Sequence, residues 1–273
     1  MPDTSDPGTP APVWSRLGFE AATAASEEPT LASHLNAAIL IHDRLQDALS
    51  FQLAQKLSGS EMNALQIREI CDAAYEDDPA LAEAAARDMQ AVYDRDPACR
   101  SLIQPFLFFK GFLALQTHRI AHWLWKEGRD TLAFQFQSRC SELFQVDIHP
   151  AAEIGSGVML DHATGIVIGE TAAVGDDCSL LHGVTLGGTG KTVGDRHPKI
   201  GNGVLLSVGA KVLGNITVGD KAKVAAGSVV LQNVEPLCTV AGVPARPVGG
   251  PCAEAAKNMD QSIPTDLYKG DAI

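Results

Sequence analysis

Aromatic residues are scarce in this sequence, 5% of 273 positions with only three Trp and three Tyr. Positive charge is short as well. Lys and Arg number 21 against 33 Asp and Glu, for a formal net charge of −12. That balance argues against any large phosphate-tracking surface, because nucleic-acid affinity comes from Lys and Arg displacing counterions. No nucleic-acid partner is expected. No segment approaches ~20 uninterrupted apolar residues, so no membrane association is expected either. The first 30 residues have no basic residue before Arg16 and no continuous apolar stretch, and so lack both parts of a secretion signal. A cytoplasmic location is the expectation. The six cysteines (Cys71, Cys99, Cys140, Cys178, Cys238, Cys252) include no CxxC pair and lie too far apart for a zinc cluster or a disulfide framework. They read as single thiols.

What is present divides the chain. Net charge is −9 over residues 1–149, −1 over 150–250 and −2 over 251–273. A nearly neutral middle segment suits a surface that receives an anionic cofactor. From about Leu31 to Phe144 apolar residues recur at helical spacing, as in Leu49, Leu53 and Leu57, closed by Gly59. Asp78-Pro79 and Asp96-Pro97 each set an acid before a proline, which predicts helix N-caps at both. The stretch 102–125 is very apolar, but Pro105, Lys110, Gln116, His118, Arg119 and His122 interrupt it. It reads as a helix buried in a bundle or in an oligomer contact.

After Val146 the period changes. Every sixth residue is aliphatic: Ile148, Ile154, Leu160 and Ile166, then after a slip of two Ile168, Val174, Leu180 and Leu186, then after a second offset Ile200, Leu206, Val212, Val218, Val224 and Val230. Small or compact residues recur four places later, among them Ala152, Val158, Thr164, Ala172, Cys178, Val184, Ala210 and Ala222. A helix would scatter this period around its axis, and an ordinary strand alternates with period two. Stacked coils of short strands satisfy it, each side sending one aliphatic into a narrow prismatic core, as in the hexapeptide β-helix class. So narrow a core also accounts for the shortage of aromatic rings.

Two interruptions of the period stand out. One is the two-residue slip around Gly165–Ile168, beside His162. The other is the ejected loop Gly187–Lys199, GGTGKTVGDRHPK. Insertions in a solenoid map to loops on a binding face, so both should flank the site. His149, His162 and His197 sit in the Asp-bearing strings VDIHPAA, LDHATG and GDRHPKIG, whereas His182 lies in LLHGVT. Three His ligands could hold a catalytic zinc, but intervals of 13, 20 and 15 residues do not follow a coil of about 18, the spacing that stacks side chains in a column. No metal is therefore expected.

VDIHPAAEIGSGVMLDHATGIVIGETAAVGDD, with VTLGGTGK, GDRHPKIG and AGVPAR, resembles the serine O-acetyltransferases of cysteine biosynthesis. ALSFQLAQKL, RDPA and KGFLALQTHRIAHWLW resemble the same family's helical N-terminal domain. The resemblance implies an α + β chain: an α-helical oligomerisation domain 31–146 and a left-handed parallel β-helix catalytic domain 147–249. Residues 1–30 and 250–273, outside that resemblance, are expected to be a flexible segment and a flexible tail. The resemblance also implies transfer of acetyl from acetyl-CoA to the hydroxyl of L-serine without a metal. A serine hydroxyl is a weak nucleophile at neutral pH, so a neutral imidazole must take its proton as the oxygen attacks the thioester. His162 is that base by family position, with Asp147 as the carboxylate that orients it. Asp96 and Asp161 face the substrate ammonium, and Arg196 and His197 hold its carboxylate.

For CoA, Gly188, Gly209 and Ala226 would let the pantetheine arm approach the main chain, and Lys223 and Arg246 are available for phosphate. The family forms trimers, paired into hexamers, with sites between adjacent solenoids. L-cysteine commonly inhibits its members. Its terminal Ile, here Ile273, binds O-acetylserine sulfhydrylase. Two rival readings are a hexapeptide acyltransferase for a sugar or xenobiotic hydroxyl and a scaffold for the sulfhydrylase.

Overall fold

A computed structural model describes residues 9–190, 193–248 and 254–263. Its contacts divide the chain into two units, 1–144 and 145–273.

The first unit is helical: α1 (Pro10–Glu27), α2 (Ala32–Leu35), α3 (Leu45–Leu57), α4 (Ala64–Asp77), α5 (Ala80–Arg95), α6 (Ile103–Leu107), α7 (Lys110–Lys126) and α8 (Asp130–Phe144). The expected flexible segment 1–30 is corrected over α1, which buries Val13, Leu17 and Ala21 along one face. The other helices fall within the region of helical period, and α4 opens with a reciprocal capping box between Asn63 and Gln66. Asp96 is a second correction. It closes α5 rather than starting a helix, and its Oδ1 accepts the Ala98 N–H at 2.8 Å in a local turn. The apolar stretch at 102–125 folds as α6 and α7, broken at Phe108 and Phe109. Polar residues of α7 meet polar partners inside the unit. Arg119 donates twice to Asp88 Oδ2, at 2.7 and 2.9 Å, and Gln116 donates to the same oxygen. Among the described residues, no helix is long and apolar enough to cross a membrane.

The second unit is a parallel β-helix with three sheets. The first sheet stacks β1 (Val146–Ile148), β4 (Ile166–Ile168), β7 (Thr185–Gly187), β10 (Lys211–Leu213) and β13 (Val229–Val230). The second stacks β2 (Glu153–Ile154), β5 (Ala173–Val174), β8 (Lys199–Ile200) and β11 (Thr217–Val218). The third stacks β3 (Met159–Asp161), β6 (Ser179–Leu181), β9 (Leu205–Leu206) and β12 (Lys223–Val224), and ends with β14 (Thr239–Gly242) and β15 (Ala245–Pro247). Among the described residues, only β15 runs antiparallel.

Of the fourteen six-period aliphatics, thirteen are buried and Ile154 is half-buried. Residues 146–250 contain no Phe, Tyr or Trp, so aliphatic side chains, with compact ones such as Cys178 and Ser228, fill the prism. Register shows where coils differ in length. Ile148 pairs with Ile168 across 20 residues, Val174 with Ile200 across 26, and Ile200 with Val218 across 18. The 20-residue coil contains the slip beside His162, and the 26-residue coil contains the ejected loop.

The tail also departs from expectation. A short helix α9 (Ala255–Asn258) buries Ala255 and Ala256 against Leu181 and Leu205 of the third sheet, with Val208 and Met259 packed around them. Ser179 Oγ donates to the Ala256 carbonyl at 3.0 Å. The segment 250–273 is thus tied down where it is described.

Candidate active site

Two corners of the prism border the first sheet, and each carries one of the two interruptions. At the corner between the third and first sheets, the 20-residue coil inserts two residues after Asp161. His162 and Ala163 both take left-handed backbone, at φ 54° and 58°. Such a conformation costs a non-glycine residue about 1–2 kcal/mol, which the surrounding ladder must offset. The Gly165 N–H donates to Gln145 O, and Thr164 O in turn accepts the Gly183 N–H, each at 2.8 Å. The six-period rule fails here in one detail. Thr164, a predicted inward position, is exposed, while Ala163 is fully buried in its stead.

This turn holds the His162 side chain outward, 76% exposed, with Nε2 3.9 Å from Asp161 Oδ1. One coil on, the His182 ring meets the His162 ring edge to face at a centroid distance of 5.9 Å. Beyond His182 the corner continues as a backbone column. Gly183, Gly209 and Gly227 stack at φ 71°, 67° and 67°. Gly209 N–H donates to His182 O and Gly227 N–H to Val208 O. Ala226 lies beside the last of these. Side chains are small or absent along this column, so its main chain is approachable from outside.

At the corner between the first and second sheets, the 26-residue coil folds back so that Arg196 and His197 cover the preceding turn, Gly169–Ala172. Arg196 Nη2 donates to Glu170 Oε2 at 2.6 Å, and Nη1 donates to Gly194 O. That hydrogen-bonded guanidinium holds the Glu170 carboxyl below its ordinary range. The His197 ring is buried and lies directly on Gly169, where an added Cβ would sit 2.1 Å from Nε2. Only glycine fits beneath it. Burial lowers the pKa of His197, and likewise that of His149, whose Nδ1 accepts the Ala151 N–H at 3.1 Å. Lys199 Nζ bonds to Asp195 Oδ1, Thr171 O and His197 O, pinning the returning arm of the loop and holding the Asp195 carboxyl low.

The structure therefore groups Asp161 with His162, and Gly188 with Arg196 and His197: a Cβ on Gly188 would lie 3.5 Å from His197 Nε2. Asp147 sits mid-β1, half-buried, in register with Val167 on the first sheet. Asp96 belongs to the helical unit. Glu170 and Thr171 were not anticipated; the polar pair in GETA, at a corner of the aliphatic period, is the signal that would have flagged them. Lys223 is a correction. It is 4% exposed, and its Nζ donates to Ser262 O at 2.7 Å and lies 3.5 Å from Asp260 Oδ2, so it tethers the tail and is not free for a phosphate. Arg246, on β15, is exposed and donates to Ala245 O. Ile273 lies outside the described residues. Among the described residues, no group of three or more His, Cys, Asp or Glu is placed to hold a metal ion.

Residues 197–232 match the bacterial transferase hexapeptide family (six repeats), and residues 13–117 match the family described as serine acetyltransferase, N-terminal. The chain is 56% identical over 250 residues to serine acetyltransferase of Escherichia coli K12, covering 91% of this chain and 92% of that one. A crystal structure of serine acetyltransferase from Vibrio cholerae O1 biovar El Tor superposes with a TM-score of 0.91 at 54% identity, covering 93% of this chain and 98% of that one. The Brucella abortus S19 enzyme in complex with coenzyme A superposes at 0.87 with 52% identity, covering 89% and 97%. A helical unit followed by a hexapeptide β-helix with an exposed imidazole corner defines an acyltransferase of the hexapeptide class. Within that class the chain belongs to the serine acetyltransferase family, whose members are acetyl-CoA-dependent.

Proposed function

We propose that His162 is the general base of acetyl transfer from acetyl-CoA to L-serine in the first step of cysteine formation. The observation that carries this reading is the position of its imidazole: on an inserted turn, 76% exposed, at the head of a glycine column that leaves main chain open to a ligand. The imidazole takes the hydroxyl proton as the serine oxygen attacks the thioester carbonyl carbon. A C–O bond forms, the C–S bond breaks, and the proton passes to the departing thiolate, a far better leaving group than an alkoxide. Direct transfer needs no covalent enzyme intermediate.

Asp147 is proposed to orient the imidazole. Asp161, next to His162, and by family pattern Asp96, take the substrate ammonium. Arg196 and His197 take its carboxylate, supported by a guanidinium already aligned to bind one, as it binds Glu170. Gly209 and Ala226 on the column, with Gly188 and Arg246, are proposed CoA contacts.

The two corners are separated by the width of the first sheet. From Gly165 to Gly169 this is four strand residues, roughly 13 Å at ~3.3 Å each. One serine molecule cannot touch both corners of a single chain. We therefore propose a homotrimer in which the imidazole corner of one solenoid faces the Arg196 corner of the next, paired into a hexamer, with L-cysteine competing for the serine pocket. Ile273 is proposed to engage O-acetylserine sulfhydrylase, in the cytoplasm. The test is an acetyl-CoA assay over L-serine, sugars and antibiotic hydroxyls. Turnover with serine is expected, falling about 10²- to 10⁴-fold in His162→Ala. Activity on a sugar but not on serine, or an unimpaired His162→Ala, would overturn the reading.

A further inference from the structure

We propose that Thr171 is a positioning residue for the reaction, one that locks His197 in the tautomer carrying its hydrogen on Nε2. The backbone settles which ring nitrogen bears the proton. The Thr171 N–H can only donate, and it points at His197 Nδ1 at 3.2 Å. Nδ1 must then be an acceptor, and a neutral imidazole with an accepting Nδ1 carries hydrogen on Nε2. The Thr171 hydroxyl adds to the lock. Its Oγ1 lies 2.9 Å from the same nitrogen, within hydrogen-bond distance of an accepting Nδ1.

The same oxygen accepts two more hydrogen bonds, from the Arg196 N–H at 3.0 Å and the His197 N–H at 3.2 Å. A hydroxyl has one proton to give and two lone pairs; here both lone pairs serve the Arg196 and His197 amides, and the Asp195 carboxylate also lies within reach of the hydroxyl. Thr171 thereby fixes the ring chemistry of one residue and the backbone register of both, at sequence separations of 25 and 26. The loop that leaves the solenoid at Gly187 returns to a defined place because this hydroxyl receives it.

The consequence is a fixed donor. With Nδ1 engaged and the ring laid on Gly169, Nε2–H is the one donor left on the ring, on the side of Gly188, and a donor is what a substrate carboxylate requires. A ring of the opposite tautomer would offer a lone pair there and repel the same anion. The charged groups around the ring are Glu170, Arg196, Lys199 and His149. This half of the proposal rests on the reading of His197 as a contact for the serine carboxylate.

The test uses the full chain labelled with ¹⁵N-histidine, the His197 signals being assigned by their loss in His197→Gln. Long-range ¹H–¹⁵N correlation at neutral pH should show Nδ1 unprotonated and Nε2 protonated. In Thr171→Val the His197 signals should shift, and in Thr171→Ser they should return to the wild-type positions. Kinetically, Thr171→Val should raise the serine KM about tenfold, as for a lost hydrogen bond to a charged group. Its kcat and acetyl-CoA KM should change less than about twofold, and Thr171→Ser should restore the serine KM. A hydrogen on Nδ1 in the wild type overturns the inference whatever the kinetics. The expected tautomer with an unmoved serine KM in Thr171→Val overturns the positioning role of the hydroxyl, whereas an unmoved serine KM in His197→Gln overturns the carboxylate role of His197. Should the valine variant fail to fold, the wild-type spectrum and the serine variant still decide the tautomer.

Discussion

His149 and His197 do opposite work to an exposed imidazole such as His162. Each has Nδ1 turned inward as an acceptor, and burial holds each below its ordinary value of 6.5. The sign of the linkage follows. As pH falls through 6.5 the unfolded chain takes up these two protons before the folded chain does, so the unfolded state binds more protons and stability declines. Stability is therefore fully present above the ordinary imidazole pKa and is lost as pH drops below it. Thermal melts at pH 7.5 and 5.5 should show a fall in Tm for the wild type and a smaller fall for the His149→Gln, His197→Gln double variant. An equal fall in both would contradict the assignment.

Among the elements, the coils teach most about what can be read from a sequence. The six-residue period placed nearly every inward aliphatic, because a prism with room for one side chain per face leaves no alternative. It also found both insertions. It could not say that the slip would bury Ala163 and expose Thr164, since that depends on two consecutive left-handed residues that no period encodes. Nor could it foresee Lys223, a cation in a strand, being claimed by Asp260 and Ser262. Glu170 and Thr171 were missed because their partners lie in a loop whose return path is set by hydrogen bonds between turns. The resemblance carried His162, Asp161, Arg196 and His197, and these residues do gather at two corners. The inserted turn is itself testable. Deleting Ala163 and Thr164 restores a coil of 18 residues, the length between Ile200 and Val218. The circular dichroism of the variant should stay close to wild type while serine turnover disappears; retained turnover would mean that the turn does not position the base.

At the scale of the whole molecule, the separation of the two corners makes a quantitative demand on the proposed trimer. A site that draws His162 from one chain and Arg196 from the next can be rebuilt from two inactive variants. Co-refolding His162→Ala and Arg196→Ala chains in equal amounts should return about a quarter of wild-type activity, the chance that both facing corners are intact in a random cyclic trimer. Activity no higher than that of either variant alone would place both corners in one chain's site or rule out the trimer. Sedimentation of the wild type gives the oligomer size independently.

The lack of aromatic rings in the β-helix has a practical consequence for anyone who follows unfolding by light. All three tryptophans, Trp14, Trp123 and Trp125, precede residue 145. Tryptophan emission therefore watches the helical unit alone, and the solenoid that carries His162 unravels dark. A melting curve recorded that way can look unchanged in a variant whose coils have already come apart, and amide exchange or far-ultraviolet dichroism has to be read beside it.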